Sequence, residues 1–297
     1  MIIKYQDHLN MSNSKSVVTC QYQDYLFLKN YSKRTIDTYS RFTRDFLDYC
    51  SDHRSLSLSF EDYARKYLLS LQARGCSWST INGNYSAIKI LCVKILKKEW
   101  KVDHLPRPKS IKNLPRILSK KEIVRLIETP RSFKHRTIIM LMYVTGLRIS
   151  EVLYLKLSDI DSDRKEIFVN QGKGHKDRMV QVPSKLLDLL REYYKVYQPK
   201  VYLFEGQGKT TRRYSAGSIS KILSRTREKC KITKSISPHT LRHCYATHHL
   251  ECGTDLVFLK EQLGHTNIRT TAKYIHLCRE RHRHVNHPID QLTIKIL

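Results

Sequence analysis

The sequence is short of acidic residues and has no long apolar run, and both shortages limit what the protein can be. Its 297 residues include 27 Asp and Glu against 54 Lys and Arg, a formal net charge of +27. The longest apolar run is seven residues, Ile138 to Val144, whereas a membrane-spanning helix needs roughly 20. We therefore expect no membrane partner, and the charge favours a polyanion as the partner.

A secretory signal and a cysteine framework are also missing. The N-terminus, MIIKYQDHLNMSNSKS, has no apolar core and no small-residue cleavage site, and Met11 is an alternative start. The eight cysteines are widely spaced and include no CxxC pair, which predicts reduced thiols without a zinc site. These features predict a cytoplasmic protein with no metal.

The length and the apolar pattern predict two domains. After an N-terminal tail, residues 1–17, apolar residues recur at helical spacing over 18–100 and predict four helices, with Ser32 and either Ser77 or Ser79 as N-caps. Residues 101–118 form a proline-containing basic linker. It is either a solvated connection or, as we prefer, a basic strap along a nucleic-acid backbone.

The second domain, residues 119–284, is expected to be helical with one hairpin. Ser119 and Glu122 form a capping box at its first helix. The stretch 166–183 has two β-rich segments joined by Gly172-Lys173-Gly174, which predicts a hairpin. The fold class is therefore mainly α with a small β-sheet.

Two arginines with nearby histidines form a candidate phosphate pocket. His239 and Arg242 are three residues apart, so both lie on one face near the N-terminus of a helix. Arg148 follows a helix-ending glycine, where its guanidinium can make two parallel hydrogen bonds to a phosphate. Each pattern also has a purely structural interpretation. In it, His239 is a capping residue and Arg242 a surface arginine, and Arg148 is paired with Glu151.

Five short motifs follow one another through the second domain. They are TGLRISE around Arg148, GKGHKDR around Lys173, HTLRH at 239–243, LGH at 263–265, and Tyr274. In order and spacing they resemble the tyrosine recombinases, specifically the Xer-like and phage or transposon integrase branch. SKRTIDTYSRFTRDFLDYC and STINGNYSAIKIL also look like that family's N-terminal helices, so the resemblance covers about residues 18–285.

The resemblance implies a fold and a catalytic site. The fold is a helical core-binding (SAM-like) domain followed by a mixed α/β tyrosine-recombinase catalytic domain. Tyr274 is implied to be the nucleophile and Lys173 to face the leaving oxygen. Glu151 is implied to orient the first arginine. The residues implied around the scissile phosphate are Arg148, His239, Arg242 and His265.

Such residues can cleave a phosphodiester without metal or ATP, so we expect no cofactor. Attack by a tyrosine oxygen builds negative charge on the phosphate, which arginine and imidazole donors stabilise. Lys173 at a hairpin tip can protonate the departing 5′ oxygen, and His239 is placed to help take or return the tyrosine proton. A covalent 3′-phosphotyrosyl link then keeps the bond energy for rejoining.

The predicted function is site-specific recombination of double-stranded DNA by a homotetramer on two paired sites. A second recombinase or an accessory protein is an open additional partner, and the DNA site and the biological outcome are also open. The alternatives are a non-cleaving DNA-binding regulator of the same fold and a relaxing enzyme like a type IB topoisomerase. Intact catalytic residues argue against the regulator, and the helical N-terminal domain argues against the topoisomerase.

The C-terminal tail, residues 285–297, carries several apolar residues behind a proline. Such residues need a surface on which to bury. We expect the tail to dock on a neighbouring protomer, as the family's C-terminal segment does. Packing on its own domain is the alternative.

Overall fold

A computed structural model describes residues 11–53, 58–100, 116–170, 177–206 and 212–278. The chain divides into two compact units, residues 1–113 and 114–297. Most of the predicted linker, the predicted C-terminal tail, the loop of the predicted hairpin and Lys173 lie outside the described residues.

The first unit is a helical bundle whose four helices the sequence predicted. They are α1 (Met11–Leu28), α2 (Lys33–Asp52), α3 (Phe60–Ala73) and α4 (Trp78–Ile90), and α4 continues into a π-helical turn at Leu91–Ile95. Ser32 caps α2 and Ser77 caps α4, so of the two candidates for the latter cap Ser79 was wrong. The buried core includes Tyr22, Leu26, Phe46 and Ile88.

The second unit is also mainly helical. Ser119 and Glu122 form the predicted capping box at its first helix. The helices are α5 (Lys120–Glu128), α6 (Phe133–Thr145), α7 (Ile149–Tyr154), α8 (Ser184–Tyr197), α9 (Ala216–Lys229), α10 (Pro238–Glu251), α11 (Leu256–Leu263) and α12 (Ile268–Ala272).

A small antiparallel sheet lies between α7 and α8 in the chain. Strands β1 (Ile160–Asp161), β2 (Glu166–Val169) and β3 (Arg178–Gln181) pair in the order β1-β2-β3. Strands β2 and β3 confirm the predicted hairpin. Strand β1 was not predicted, because two residues are too few to establish an alternating pattern.

The longest apolar run of the sequence forms much of α6, at the centre of the second unit. Ile138, Ile139, Leu141 and Met142 are fully buried there, and α10 packs against the same helix. The run is apolar because the helix is surrounded by protein. Within the described ranges, no helix combines the length and the apolar character needed to cross a membrane.

The segment around Tyr274 differs from the prediction. The sequence predicted one helix from about Arg269 to Arg281, but α12 ends at Ala272 and a 3-10 turn follows at Ile275–Leu277. The Tyr274 N–H donates to the carbonyl of Thr271 over 3.0 Å, a three-residue hydrogen bond rather than an α-helical one. Apolar spacing over a single turn cannot distinguish the two helix types.

Gly146 ends α6 and turns the chain toward Arg148. Its φ is 60°, in the left-handed region, and a Cβ atom there would lie 2.5 Å from Cδ1 of Tyr245 on α10. Glycine is therefore required both by the backbone conformation and by the close approach of α10.

We predict that Gly146→Ala lowers the free energy of unfolding by about 2 to 5 kcal/mol. A left-handed alanine costs about 1 to 2 kcal/mol, and overpacking against Tyr245 adds about 1 to 3 kcal/mol. Denaturant unfolding followed by circular dichroism measures the change. Gly253→Ala is the matched control, because Gly253 has a φ of 81° but open space around its Cα. Equal losses in both variants would contradict the packing argument.

Candidate active site

Arg242 on α10 is held by the C-terminal ends of two other helices. Its side chain Nη1 donates to the carbonyl of Gly146 at the end of α6 over 2.7 Å, and Nη2 donates to that of Leu263, the last residue of α11, over 2.5 Å. Carbonyls at helix C-termini lack intrahelical donors and carry partial negative charge. They therefore hold a guanidinium that is only 4 % exposed.

Arg148 is fixed at the N-cap of α7 by Glu151. The Arg148 Nη1 donates to Glu151 Oε1 over 2.8 Å, and the Arg148 backbone N–H donates to Oε2 over 2.8 Å. Its Nη2 also donates to the carbonyl of Gly264 over 3.3 Å. The pairing with Glu151 that we considered as a structural alternative is thus present. The same pairing orients Arg148 toward the end of α11, where Arg242 is held.

Glu151 is shared with a second arginine that the sequence analysis did not single out. Arg178, the first residue of β3, donates from Nη1 to Oε1 over 3.0 Å and from Nη2 to Oε2 over 2.7 Å. Burial alone would raise the pKa of Glu151, whose side chain is 6 % exposed. Hydrogen bonds and positive charge from Arg178 and Arg148 outweigh burial and lower this pKa to about 2.

The site therefore gathers three guanidinium groups, those of Arg148, Arg178 and Arg242, around one carboxylate. Burial and then the charge of Arg148 lower the pKa of Arg242 to about 10. Three cationic side chains with one carboxylate leave positive charge in excess here. An anion entering the site would relieve it, and a phosphate matches the geometry of guanidinium donors.

His265, just after α11, lies between Arg242 and Thr271. Its Nε2 is 3.1 Å from Arg242 Nη2, and its Nδ1 is 2.9 Å from Thr271 Oγ1. Burial and then the charges of Arg242 and Arg148 lower the pKa of His265 to about 4. The ring is therefore neutral at pH 7. Because an arginine can only donate, Nε2 accepts and Nδ1 carries the proton in this arrangement.

Tyr274 faces the same group of side chains. It is 6 % exposed, and its ring lies nearly parallel to that of His265, with centroids 6.5 Å apart. Burial raises the pKa of Tyr274, although Arg242 and Arg148 oppose the rise. The phenol is therefore protonated at neutral pH.

The hydroxyl of Tyr274 contacts His243 rather than His239. His243 Nδ1 is 2.9 Å from Tyr274 Oη. His239, one turn earlier on α10, is exposed and stacks on His243 with ring centroids 6.4 Å apart. The expectation that His239 is placed at the tyrosine proton is thus corrected. His243 could have been found from the HTLRH motif, since residues four apart share a helix face.

The structure brings together four of the six predicted site residues, Arg148, Arg242, His265 and Tyr274. Arg242 contacts His265, whose ring stacks on that of Tyr274, and Arg148 is held beside them by the carbonyl of Gly264. His239 borders the group through His243, and Lys173 is outside the described residues. Among the described residues, no group of three or more His, Cys, Asp or Glu side chains could hold a metal ion.

Two family models match this chain. The Phage integrase family model matches residues 116–281, and the model of the phage integrase N-terminal SAM-like domain matches residues 19–102. The chain belongs to the phage integrase family. This membership confirms the fold class predicted from the sequence, a SAM-like helical domain followed by a catalytic domain with a small sheet. It also confirms the enzyme type, a tyrosine recombinase.

Named relatives agree with this assignment. Tyrosine recombinase XerA of Pyrococcus furiosus is 35 % identical over 264 residues, covering 88 % of this chain and 89 % of the relative. The putative integrase/recombinase y4eF of Sinorhizobium fredii is 36 % identical over 195 residues, covering 65 % of this chain and 76 % of the relative. The XerH site-specific recombinase, solved bound to palindromic difH substrate in a post-cleavage complex, has the same fold. Its TM-score is 0.69 at 24 % identity, covering 93 % of this chain and 84 % of that one.

We predict that Glu151→Gln reduces the acid sensitivity of the second unit. Because the folded pKa of Glu151, about 2, lies below its ordinary value of 4.5, its ionised form stabilises the fold above about pH 4.5. That contribution, about 3 kcal/mol, is lost as the pH falls toward 2. The variant should be less stable at pH 7 and should show a shallower loss of stability in acid.

Glu192→Gln is the control for this measurement. Glu192 forms an exposed ion pair with Lys195, and such pairs contribute about 0 to 1 kcal/mol. Denaturant unfolding at a series of pH values compares the two variants with the unchanged protein. An unaltered acid dependence in Glu151→Gln would show that the arginines do not hold Glu151 ionised.

Proposed function

We propose that this chain cuts and rejoins double-stranded DNA in site-specific recombination, with Tyr274 forming a covalent 3′-phosphotyrosyl intermediate. The observation that carries the proposal is a buried tyrosine beside an excess of arginine charge. A phosphodiester supplies the anion that this charge attracts, and a tyrosine oxygen supplies the nucleophile. The solved complex of XerH with its difH substrate gives a DNA-bound relative of the same fold.

Arg148, Arg242 and His265 bind the scissile phosphate in this proposal. Attack adds negative charge to the non-bridging oxygens, and donors already held in place stabilise that charge without reorganisation. The Arg242 N–H that now faces His265 turns to a phosphate oxygen. The Thr271 hydroxyl can either accept from His265 Nδ1 or donate to it. His265 can therefore change tautomer and donate from Nε2, while His239 adds a donor at the rim.

Lys173 protonates the departing 5′ oxygen. The support comes from the sequence, where a lysine between two glycines lies between β2 and β3. A lysine ammonium can give a proton to a departing oxygen. The reaction requires no metal and no ATP in this proposal, because the phosphotyrosyl bond preserves the energy for rejoining.

The proposed assembly is a homotetramer on two paired sites. The apolar tail at 285–297 docks on the next protomer, a heterologous contact that closes only as a ring. A second recombinase or an accessory protein remains compatible with this assembly. If the tail belongs to its own domain, the tetramer needs another contact.

Two other functions use parts of the same site. A non-cleaving regulator needs the basic surface but does not need a tyrosine hydrogen-bonded to a histidine beside the arginines. A relaxing enzyme of the topoisomerase IB kind shares the chemistry and differs in its outcome. Two differently marked DNA molecules that carry the site should be joined by a recombinase, and only relaxed by a topoisomerase.

Tyr274→Phe should abolish covalent attachment to DNA and leave binding nearly unchanged, because the ring still fills its buried position while the nucleophilic oxygen is lost. A substrate with a nick near the cleavage point traps the adduct, which denaturing gels detect. The unchanged protein should form the adduct in EDTA. An adduct that persists in Tyr274→Phe would refute the assignment of the nucleophile, and Tyr143→Phe is a control at a half-buried tyrosine that hydrogen-bonds to His248.

Lys173→Ala should slow cleavage of a normal substrate far more than cleavage of one whose 5′ leaving oxygen is replaced by sulfur. Sulfur departs without needing a proton, so it bypasses the general acid. Single-turnover rates on the two substrates measure the difference. Equal slowing on both would mean that Lys173 only binds phosphate, and Lys176 would then be tested in the same way.

A further inference from the structure

We propose that His243 is the catalytic base of cleavage, accepting the Tyr274 proton at Nδ1 as Oη attacks phosphorus and returning it when the strand is rejoined. The inference rests on the proposed role of Tyr274 as nucleophile. It goes beyond that role because it assigns the proton to a histidine that the sequence motifs did not single out.

The geometry of this pair suits proton transfer. His243 Nδ1 and Tyr274 Oη are 2.9 Å apart, within the reach that a general base requires. The two side chains come from α10 and from the turn after α12, elements that pack against each other. Their ring centroids are 5.5 Å apart. The pair is therefore already formed before any substrate is bound.

The proton lies on the tyrosine side of this hydrogen bond. Burial keeps the phenol protonated. Burial, His239 and Arg242 lower the pKa of His243, so this ring is neutral and has a free acceptor nitrogen at pH 7. The hydroxyl donates to Nδ1, and Nε2 carries the single proton of the ring.

The other two histidines of the site are less suited to this role. His265 already contacts Arg242 through Nε2 and Thr271 through Nδ1, and its pKa of about 4 disfavours a protonated ring. His239 stacks on His243, and no hydrogen bond joins it to Tyr274 among the described residues. His243 is the histidine in contact with the reacting oxygen.

The proposed step is balanced in atoms and charge. The Tyr274 proton moves to His243 Nδ1, the bond between Oη and phosphorus forms, and the bond between phosphorus and the 5′ oxygen breaks. The departing oxygen takes a proton from Lys173, as proposed above. His243 is then an imidazolium and Lys173 is neutral, and rejoining reverses each transfer.

His243→Asn is the decisive variant. The asparagine Oδ1 can accept the hydrogen bond from Tyr274 near the position of Nδ1, but it cannot take the proton. We expect single-turnover adduct formation on the nicked substrate to slow by about 10²- to 10⁴-fold at pH 7. The remaining rate should rise with pH above 7, whereas that of the unchanged protein should not, because without the histidine hydroxide has to remove the tyrosine proton. DNA binding and the thermal unfolding midpoint should stay close to those of the unchanged protein.

His249→Asn is the matched control on the same helix. His249 hydrogen-bonds to Thr254 and its ring packs on Tyr245, whereas His243 contacts the Tyr274 hydroxyl, so this variant should cleave DNA at the original rate. The proposal would be overturned if His243→Asn cleaved DNA at the rate of the unchanged protein at every pH. Slowing by the same factor at all pH values would also overturn it, since that result indicates positioning alone. An adduct in Tyr274→Phe would refute the nucleophile instead, which separates the two failures.

Discussion

The site depends on positive charge that the protein itself leaves only partly neutralised. Arg148 and Arg178 hydrogen-bond to Glu151, and within the described residues the other partners of Arg148, Arg178 and Arg242 are carbonyl oxygens and a histidine. Carbonyls at the ends of α6 and α11 supply partial charges, which hold a guanidinium in place without cancelling it. Removing charged groups from water is costly unless a partner compensates. The folded protein therefore keeps positive charge that a bound phosphate would neutralise. Gly146, at the end of α6, allows the chain turn that leads to Arg148.

Burial and the same positive charge together set the protonation states of the neighbouring histidines. Burial has the largest effect and neighbouring positive charge adds to it, so His265 and His243 are neutral and can exchange hydrogen bonds. A neutral imidazole has one donor and one acceptor nitrogen, and the neighbours decide which is which. The Arg242 guanidinium makes Nε2 of His265 an acceptor, whereas the Tyr274 hydroxyl occupies Nδ1 of His243. Burial together with neighbouring positive charge thus accounts for the neutral state of both rings.

The sequence predicted the elements of the fold better than the contacts of the site. Helical spacing and serine caps identified the helices of both units, and the glycine-rich turn identified the β2 and β3 hairpin. Tyr274 was assigned to a long helix, because one turn of residues does not reveal whether its hydrogen bonds span three or four positions. Arg178 follows a polar turn and is typical of a solvated residue in sequence. Its pairing with Glu151 joins residues 27 positions apart, and such pairing depends on packing that a local pattern does not encode. His243 was hidden for a similar reason, since His239 and His243 share a helix face and only the position of Tyr274 distinguishes them.

The pairing of Tyr274 with His243 also explains how a buried nucleophile can remain unreactive until DNA is bound. Ionising the phenol to solvent would leave an anion in a buried position, which burial disfavours. Passing the proton to His243 changes no net charge within the pair, so the positive field of the arginines neither strongly favours nor opposes the transfer. What drives the transfer is the new bond between Oη and phosphorus, which removes the phenolate as it forms. Because burial prevents the phenol from ionising to solvent, the reaction requires a proton acceptor next to the hydroxyl. His243, which contacts the hydroxyl, is the proposed acceptor.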